Sequence, residues 1–514
     1  METQRQQWKT KLGFILAATG SAIGLGNIVF FSANSYKFGA GAFYLPFLLA
    51  LLLIGVPVMV LEFGLGQMTK SSFPRALSRV GGKWGEFIGW WALINALLIT
   101  MYYIAILGWV LGMWWKALIG SLWTPTAPVP AFVMQHLPNP MGSFFNLISG
   151  WDNVLFVLIV WLLNVLMVVK GTRTIEAGVK IMMPLMWIFM IALVVRGLTL
   201  EGGLHGIYML FTPDFSIIQS PMVWQGAFSQ VFFTLTLGFG VMTAYASYMP
   251  KKSDHTTNAL LVSSMDCAFS MIAGLAVFAL LFSFSLSPKA STLSMMFFIV
   301  PSGISQLPIG VQFFGVLFFT LLLMAGLSSS ISLIESLGGA LIDKFRWPRT
   351  YTIIGISVVG ILGSIACALP VVIDKGLDSN GTLGLTILDL IDHYAFTYGL
   401  LLVGLLECLL IGWMLPVKKL RESLNANSKI QLGRWFDVLI KYVIPVVLFV
   451  LIVSSIYTQI TAKSPSNQKV GIYGHDFALG TYAYLPIAVL IFWLSFTLIG
   501  SWVLASRKDK EVIS

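Results

Sequence analysis

Stretches of roughly 20 apolar residues recur along the whole chain, Phe43 to Leu61 and Ala483 to Leu504 among them, and each has the length a helix needs to cross the ~30 Å hydrocarbon core of a bilayer. That repetition decides the solvent. With 57% hydrophobic and 10% charged residues in a chain of 514, the composition excludes soluble proteins of ordinary classes. The expected fold is an all-α membrane protein, one helical bundle rather than three soluble domains.

Hydropathy and the breakers between runs predict twelve spans, near 12–35, 41–69, 86–120, 152–169, 176–198, 223–250, 258–286, 311–343, 351–370, 384–415, 435–460 and 479–505. An even number puts both termini on one side. Lys and Arg say which: 24 of the 31 basic residues, from Arg5, Lys9 and Lys11 through Lys344, Arg346 and Arg349 to Lys510, fall on the side of the termini. Only Lys37, Lys116, Arg196, Lys289, Lys375, Lys463 and Lys469 fall opposite. The positive-inside rule makes the termini cytoplasmic, so the net charge of +10 is a topology signal and no footprint for nucleic acid. The basic start runs on into a glycine-broken stretch, a poor fit to a cleavable signal peptide. A multi-pass protein of the inner cell membrane is expected. The long external segments, 121–151, 199–222 and 286–310, are rich in Pro, Gly, Ser and aromatics and read as ordered caps.

Two spans are interrupted. The first carries Gly20-Ser21-Ala22-Ile23-Gly24-Leu25-Gly26-Asn27 and the sixth Thr234-Leu235-Thr236-Leu237-Gly238-Phe239-Gly240, both near mid-membrane. An unpaired backbone group in hydrocarbon costs several kcal/mol, so a broken helix persists only where it lines a cavity or binds something; the plainer alternative is glycine for close helix packing. The breaks stand five spans apart, as two inverted five-span repeats require. Half-helices offer N–H groups and a positive dipole end to a carboxylate, and carbonyls to a cation. Such a site holds a zwitterion beside a hard ion.

Arg5 and Trp8, GSAIGLGN, GAGAF, VPVMVLE ending on Glu62, Tyr102-Tyr103, TPDF, QVFFTLTLGFG, YASY and AGLSSSIS together resemble the neurotransmitter:sodium symporter family, in its bacterial amino-acid transporter branch. The resemblance runs in order from Arg5 to about Glu407. It implies repeats at 12–198 and 223–415, two extra helices in 435–505, a gating segment at 1–11 and a cytoplasmic tail at 506–514.

The resemblance further implies a small-molecule amino-acid substrate, its carboxylate on the Leu25 and Gly26 amides and the Tyr103 hydroxyl, its amine near Ala22, Phe233, Thr234 and Thr236. Ser21, Ile99, Phe239, Ser329 and Leu333 would line the side-chain pocket, which favours a neutral, hydrophobic amino acid. Gly24 stands where the monoamine transporters of the family carry an aspartate, which disfavours a monoamine. Two sodium ions are implied: one on Ala22, Asn27, Thr234 and Asp266, the other on Gly20, Ile23, Ala325, Ser328 and Ser329, an all-oxygen shell that suits a hard cation.

Departures from the family pattern carry information of their own. Asp266 replaces an expected asparagine, and an acid inside a span is functional by default. Phe47 replaces a tyrosine of the family's chloride site, whose other positions match Gln230, Thr234, Asp266 and Ser270; chloride independence is expected, with Asp266 supplying the fixed charge or only strengthening the sodium site. Phe30 replaces the external-gate arginine whose partner matches Asp392, leaving Lys37, His393 or a bare Tyr103–Phe233 lid as substitutes. The internal gate would pair Arg5 with Asp343 and pack Trp8 near Ser247 and Tyr248. Glu62 and Glu407 would tether unwound backbone or carry a proton.

Other classes fare worse. No pore-loop signature or charge ring marks a channel. The five histidines, His136, His205, His255, His393 and His475, form no catalytic or metal cluster in sequence, and Cys267, Cys367 and Cys408 lie inert in apolar stretches. A proton-coupled carrier and a non-transporting receptor of the same fold stay open, as does the oligomeric state.

Overall fold

In a computed structural model of the chain, the described residues are 6–124, 140–250, 252–288, 292–373, 381–461 and 484–509. They form a helical bundle without strands; two isolated bridges, Ala40 to Pro213 and Val372 to Thr382, are its only β pairings among the described residues. Among the described residues nine helices are individually long and apolar enough to span, including Gly41–Thr69, Phe73–Leu118, Val311–Phe345 and Leu485–Ser506. Two bent pairs add the first span, Lys11–Ala22 with Gly26–Lys37, and the fourth, Asp152–Val168. The sixth completes twelve as two short halves, Pro221–Thr234 and Val241–Ser247.

Local chemistry explains both interruptions. Span 1 bends by 55° where Ile23 turns extended (φ −75°, ψ 96°), and it resumes as a π-helical turn, Gly26–Phe30, a distortion frequent at functional sites. Span 6 stops because Thr236, Gly238 and Gly240 all have positive φ, 55°, 76° and 68°, a region the right-handed helix cannot use. Thr236 has no glycine's freedom there. Its hydroxyl donates to the Ser21 carbonyl at 2.9 Å, which holds the strained residue and pins one break against the other.

Span 3 differs from expectation at its start. The helix begins at Phe73, not near 86, and passes an elbow at Gly81 (φ −120°) and Gly82 (φ 57°), so a short helix leads into the span. External segments contribute helices Pro140–Ile148, Gly203–Phe211 and Val300–Ser305; residues 125–139 lie outside the described set, as do 479–483 at the expected start of span 12. Span 3 packs along span 8 and against spans 4, 9, 10 and 12, and Asn95 locks three of these together, donating to Ala395 O at 2.8 Å and accepting from Trp493 Nε1 at 2.9 Å. The three cysteines are buried.

Candidate substrate and ion site

Where the two breaks face each other, a small cavity of about 30 Å³ is enclosed by spans 1, 3, 6 and 8. Every residue assigned above to the substrate lines it except Leu25, and Asn27 joins them. Leu25 is next to it: its N–H donates to Tyr103 Oη at 3.3 Å, and that hydroxyl also bonds Ser329. Gly24 is walled in by the same pair, since a Cβ there would stand 3.0 Å from Ser329 Oγ and 3.1 Å from Tyr103 Oη. Ser332, the last residue of the AGLSSSIS motif and given no role there, meets Ser21 Oγ at 2.7 Å.

Of the residues assigned to the first ion, Asn27, Thr234 and Asp266 form one buried cluster, and Ala22 lines the cavity beside the first two. Asn27 Nδ2 reaches Asp266 Oδ1 at 2.6 Å, Thr234 Oγ1 at 2.8 Å and Ser270 Oγ at 2.9 Å, while its Oδ1 accepts from Gly24 N–H at 2.8 Å. Thr234 Oγ1 lies 3.0 and 3.2 Å from the two Asp266 oxygens. Asp266 is fully buried, and no Lys, Arg or His forms an ion pair with it among the described residues. A carboxylate in such a place calls for a cation or dense hydrogen bonding, and an oxygen-rich neighbourhood suits sodium.

The second set converges between spans 1 and 8. Ser328 and Ser329 hydroxyls both turn to the Ala325 carbonyl, at 2.9 and 3.3 Å, and Ser329 also to Ser21 O at 3.0 Å. Gly20 backs onto them, a Cβ there falling 3.2 Å from Ser328 Cβ. The carbonyls of Gly20 and Ile23 end a broken helix and so lack the next turn's donors.

Around the chloride positions, Phe47 is buried against Phe31, centroids 5.1 Å apart. Gln230 Oε1 accepts from Asn34 at 2.7 Å, and its Nε2 has no partner among the described residues. Glu62 Oε1 accepts the Gly238 N–H at 2.8 Å, anchoring the unwound part of span 6. Glu407 interacts with Glu62, and neither of its oxygens finds a hydrogen bond among the described residues.

Above the cavity, Phe233 meets the edge of Phe396, centroids 4.5 Å apart at 83°, a lid partner the sequence did not reveal. Asp392 bonds Tyr102. Lys37 Nζ instead lies over the Phe38 ring, 5.1 Å from its centroid, and His393 packs on Tyr394 and Tyr398. Below, Trp8 Nε1 donates to Tyr245 O at 2.9 Å and Trp8 N to Tyr248 O at 3.3 Å, whereas Ser247 Oγ turns back to Ala244 O. Asp343 accepts from Ser72 N–H at 2.8 Å; Arg5 lies outside the described residues. A network absent from the sequence reading joins this gate to the scaffold. Tyr248 Oη donates to buried Glu335 at 3.0 Å, Glu335 pairs with Arg349, and Arg349 donates to Val168 O at 2.7 Å.

Comparison with known proteins adds an independent line. The profile of the sodium:neurotransmitter symporter family matches residues 5–127 and 144–496. An uncharacterised sodium-dependent transporter of Methanocaldococcus jannaschii is 39% identical over 95% of this chain and 96% of its own length. The human sodium- and chloride-dependent GABA transporter 2 is 27% identical over 82% of this chain and 75% of its own. Among solved structures, MhsT in complex with L-phenylalanine superposes with a TM-score of 0.75 at 30% identity, over 88% of this chain and all of that one. With that likeness, the twelve spans are two inverted sets of five, each opening on a broken helix, followed by two more.

Proposed function

The chain belongs to the sodium:neurotransmitter symporter family, and from that premise we propose that it moves neutral, hydrophobic amino acids with two sodium ions by alternating access and without chloride. Sodium-coupled transport of a small molecule, not catalysis, is what the family does. The observation that carries the finer reading is the enclosure of Gly24 by Tyr103 Oη and Ser329 Oγ. Gly24 brings no acid to the site, so we assign the Leu25 and Gly26 amides and the Tyr103 hydroxyl to the substrate's own carboxylate, at the positive end of a half-helix. Ile99, Phe239 and Leu333 line the cavity as apolar walls, and MhsT was solved with a hydrophobic amino acid. At about 30 Å³ the cavity holds a water or two; substrate must push Phe233 and Phe396 apart to enter.

Asp266 supports chloride independence. It brings a fixed carboxylate to within 2.6 Å of Asn27, where the charge of two sodium ions would otherwise need a mobile anion, and Phe47 offers no hydroxyl. The distribution of basic residues supports cytoplasmic termini. Proton coupling is the second reading, favoured by the Glu407 carboxyl, which lies beside Glu62 and has no hydrogen bond among the described residues.

Binding of a labelled panel of neutral amino acids to the full chain in detergent tests the proposal. It should require sodium and survive replacement of chloride by gluconate. Binding that ignores sodium, or that vanishes without chloride, would sink it.

A further inference from the structure

We propose that a groove between the elbow of span 3 and the end of span 12 binds an anionic phospholipid, with its headgroup on Lys83 and an acyl chain along Phe87, Leu498, Ile499 and Trp502. The groove measures about 600 Å³ and is otherwise apolar. Gly82, with φ 57°, turns the chain so that Lys83 and Trp84 stand at its lip; Trp84 is 76% exposed and Trp502 65%. Tryptophans so placed belong at the level of lipid headgroups.

Charge selects the lipid. Ser506 closes the groove, and Arg507 and Lys508 follow it directly, both exposed. The nearby acids are engaged elsewhere: Glu86 pairs with buried Lys344, and Asp509 lies 3.4 Å from Arg75 and 3.6 Å from Lys344. Lys83, Arg507 and Lys508 form no ion pair among the described residues. One lysine lining an apolar slot, with two exposed cations following Ser506 in the chain, matches a phosphate ester with a hydrocarbon tail, and basic pockets beside spans take anionic headgroups. The larger groove across span 12, about 740 Å³, shares Ile499 but is lined by no charged residue, so it discriminates no headgroup.

The test titrates the purified full-length protein in detergent with phosphatidylglycerol or phosphatidylcholine of identical chains and reads the thermal unfolding midpoint. Phosphatidylglycerol should stabilise at a lower lipid concentration. Lys83→Gln, an exposed change, should weaken that response by about fivefold, the effect of one cation near an anionic headgroup, while Lys419→Gln leaves it intact. Ala505→Trp, which fills the groove, should remove the preference. Equal responses to the two lipids, or a preference untouched by Lys83→Gln, would overturn the proposal. So would a dimer in light scattering that Ala505→Trp disrupts, which would make a second copy the occupant.

Discussion

Asn27 Nδ2 stands 2.6 Å from Asp266 Oδ1, joining the break in span 1 to the middle of span 7 through an acid with no exposed surface. The amide has two hydrogens and three acceptors in reach, and the Thr234 and Ser270 hydroxyls in turn donate to Asp266. A cation among these oxygens would neutralise a buried carboxylate that has no ion-pair partner among the described residues. Asp266→Asn should therefore lower apparent sodium affinity by about tenfold or more, the scale of one lost hydrogen-bonded charge, and make uptake depend on chloride. Sodium titrations of uptake with and without chloride check it; an unchanged, chloride-indifferent titration would refute the role given to Asp266.

Gly24→Ala places a methyl 3.1 Å from Tyr103 Oη. The hydroxyl must give by a few tenths of an ångström, which weakens its already long 3.3 Å bond from the Leu25 N–H, one of the contacts on which the carboxylate site is built. Amino-acid affinity should fall about fivefold, the worth of roughly 1 kcal/mol, with little change in thermal stability. Equilibrium binding beside a melting curve separates the two effects.

Glu335→Gln leaves Arg349 half-buried opposite a neutral amide. Breaking one side of a buried pair costs about 3–5 kcal/mol, and thermal unfolding in detergent should show a clear loss. The double variant Glu335→Leu with Arg349→Leu should recover much of it, since two apolar groups leave no stranded charge. Failure of the double variant to recover would mean that Arg349 acts chiefly through its bonds to Val168 O and Val169 O.

Asp254 caps the first turn of span 7 from outside the membrane. Burial pushes its carboxyl up, but hydrogen bonds from Lys429 N–H, Thr257 N–H, Thr257 Oγ1 and Ser428 Oγ outweigh that and hold it down at about 2. The native value is below the unfolded one of about 3.9, so this stabilisation is complete above pH ~4 and is lost as pH falls from there toward 2. Asp254→Ala should cost about 1 kcal/mol at neutral pH, as other lost N-caps do, and the gap from the parent should close across that acid window. Melting curves against pH measure both.

What could be read before folding follows from range. Span lengths and glycine-rich breaks are written locally, because bilayer thickness and backbone freedom act on each segment alone; hence the twelve spans and the interruptions at Ile23 and Leu235. The residues around the cavity could be named because motif order carried them. Phe396 over Phe233, Ser332 against Ser21 and Tyr102 on Asp392 could not, since each partner is one aromatic or serine among many at helical spacing. Glu335 and Arg349 sit on different spans, and only tertiary packing brings them together. Span 3 is expected to begin near 86 because the stretch before it is polar and basic, whereas the helix starts at Phe73 and Gly81–Gly82 only redirect it.

Coupling to sodium is what drives the proposed transport. Reconstituted into proteoliposomes, the full chain should accumulate a labelled neutral amino acid when an inward sodium gradient is applied, at equal rates with chloride or gluconate, and should ignore an inward proton gradient. Accumulation that follows the proton gradient and not sodium would contradict the account and move the coupling role to Asp266, Glu62 and Glu407.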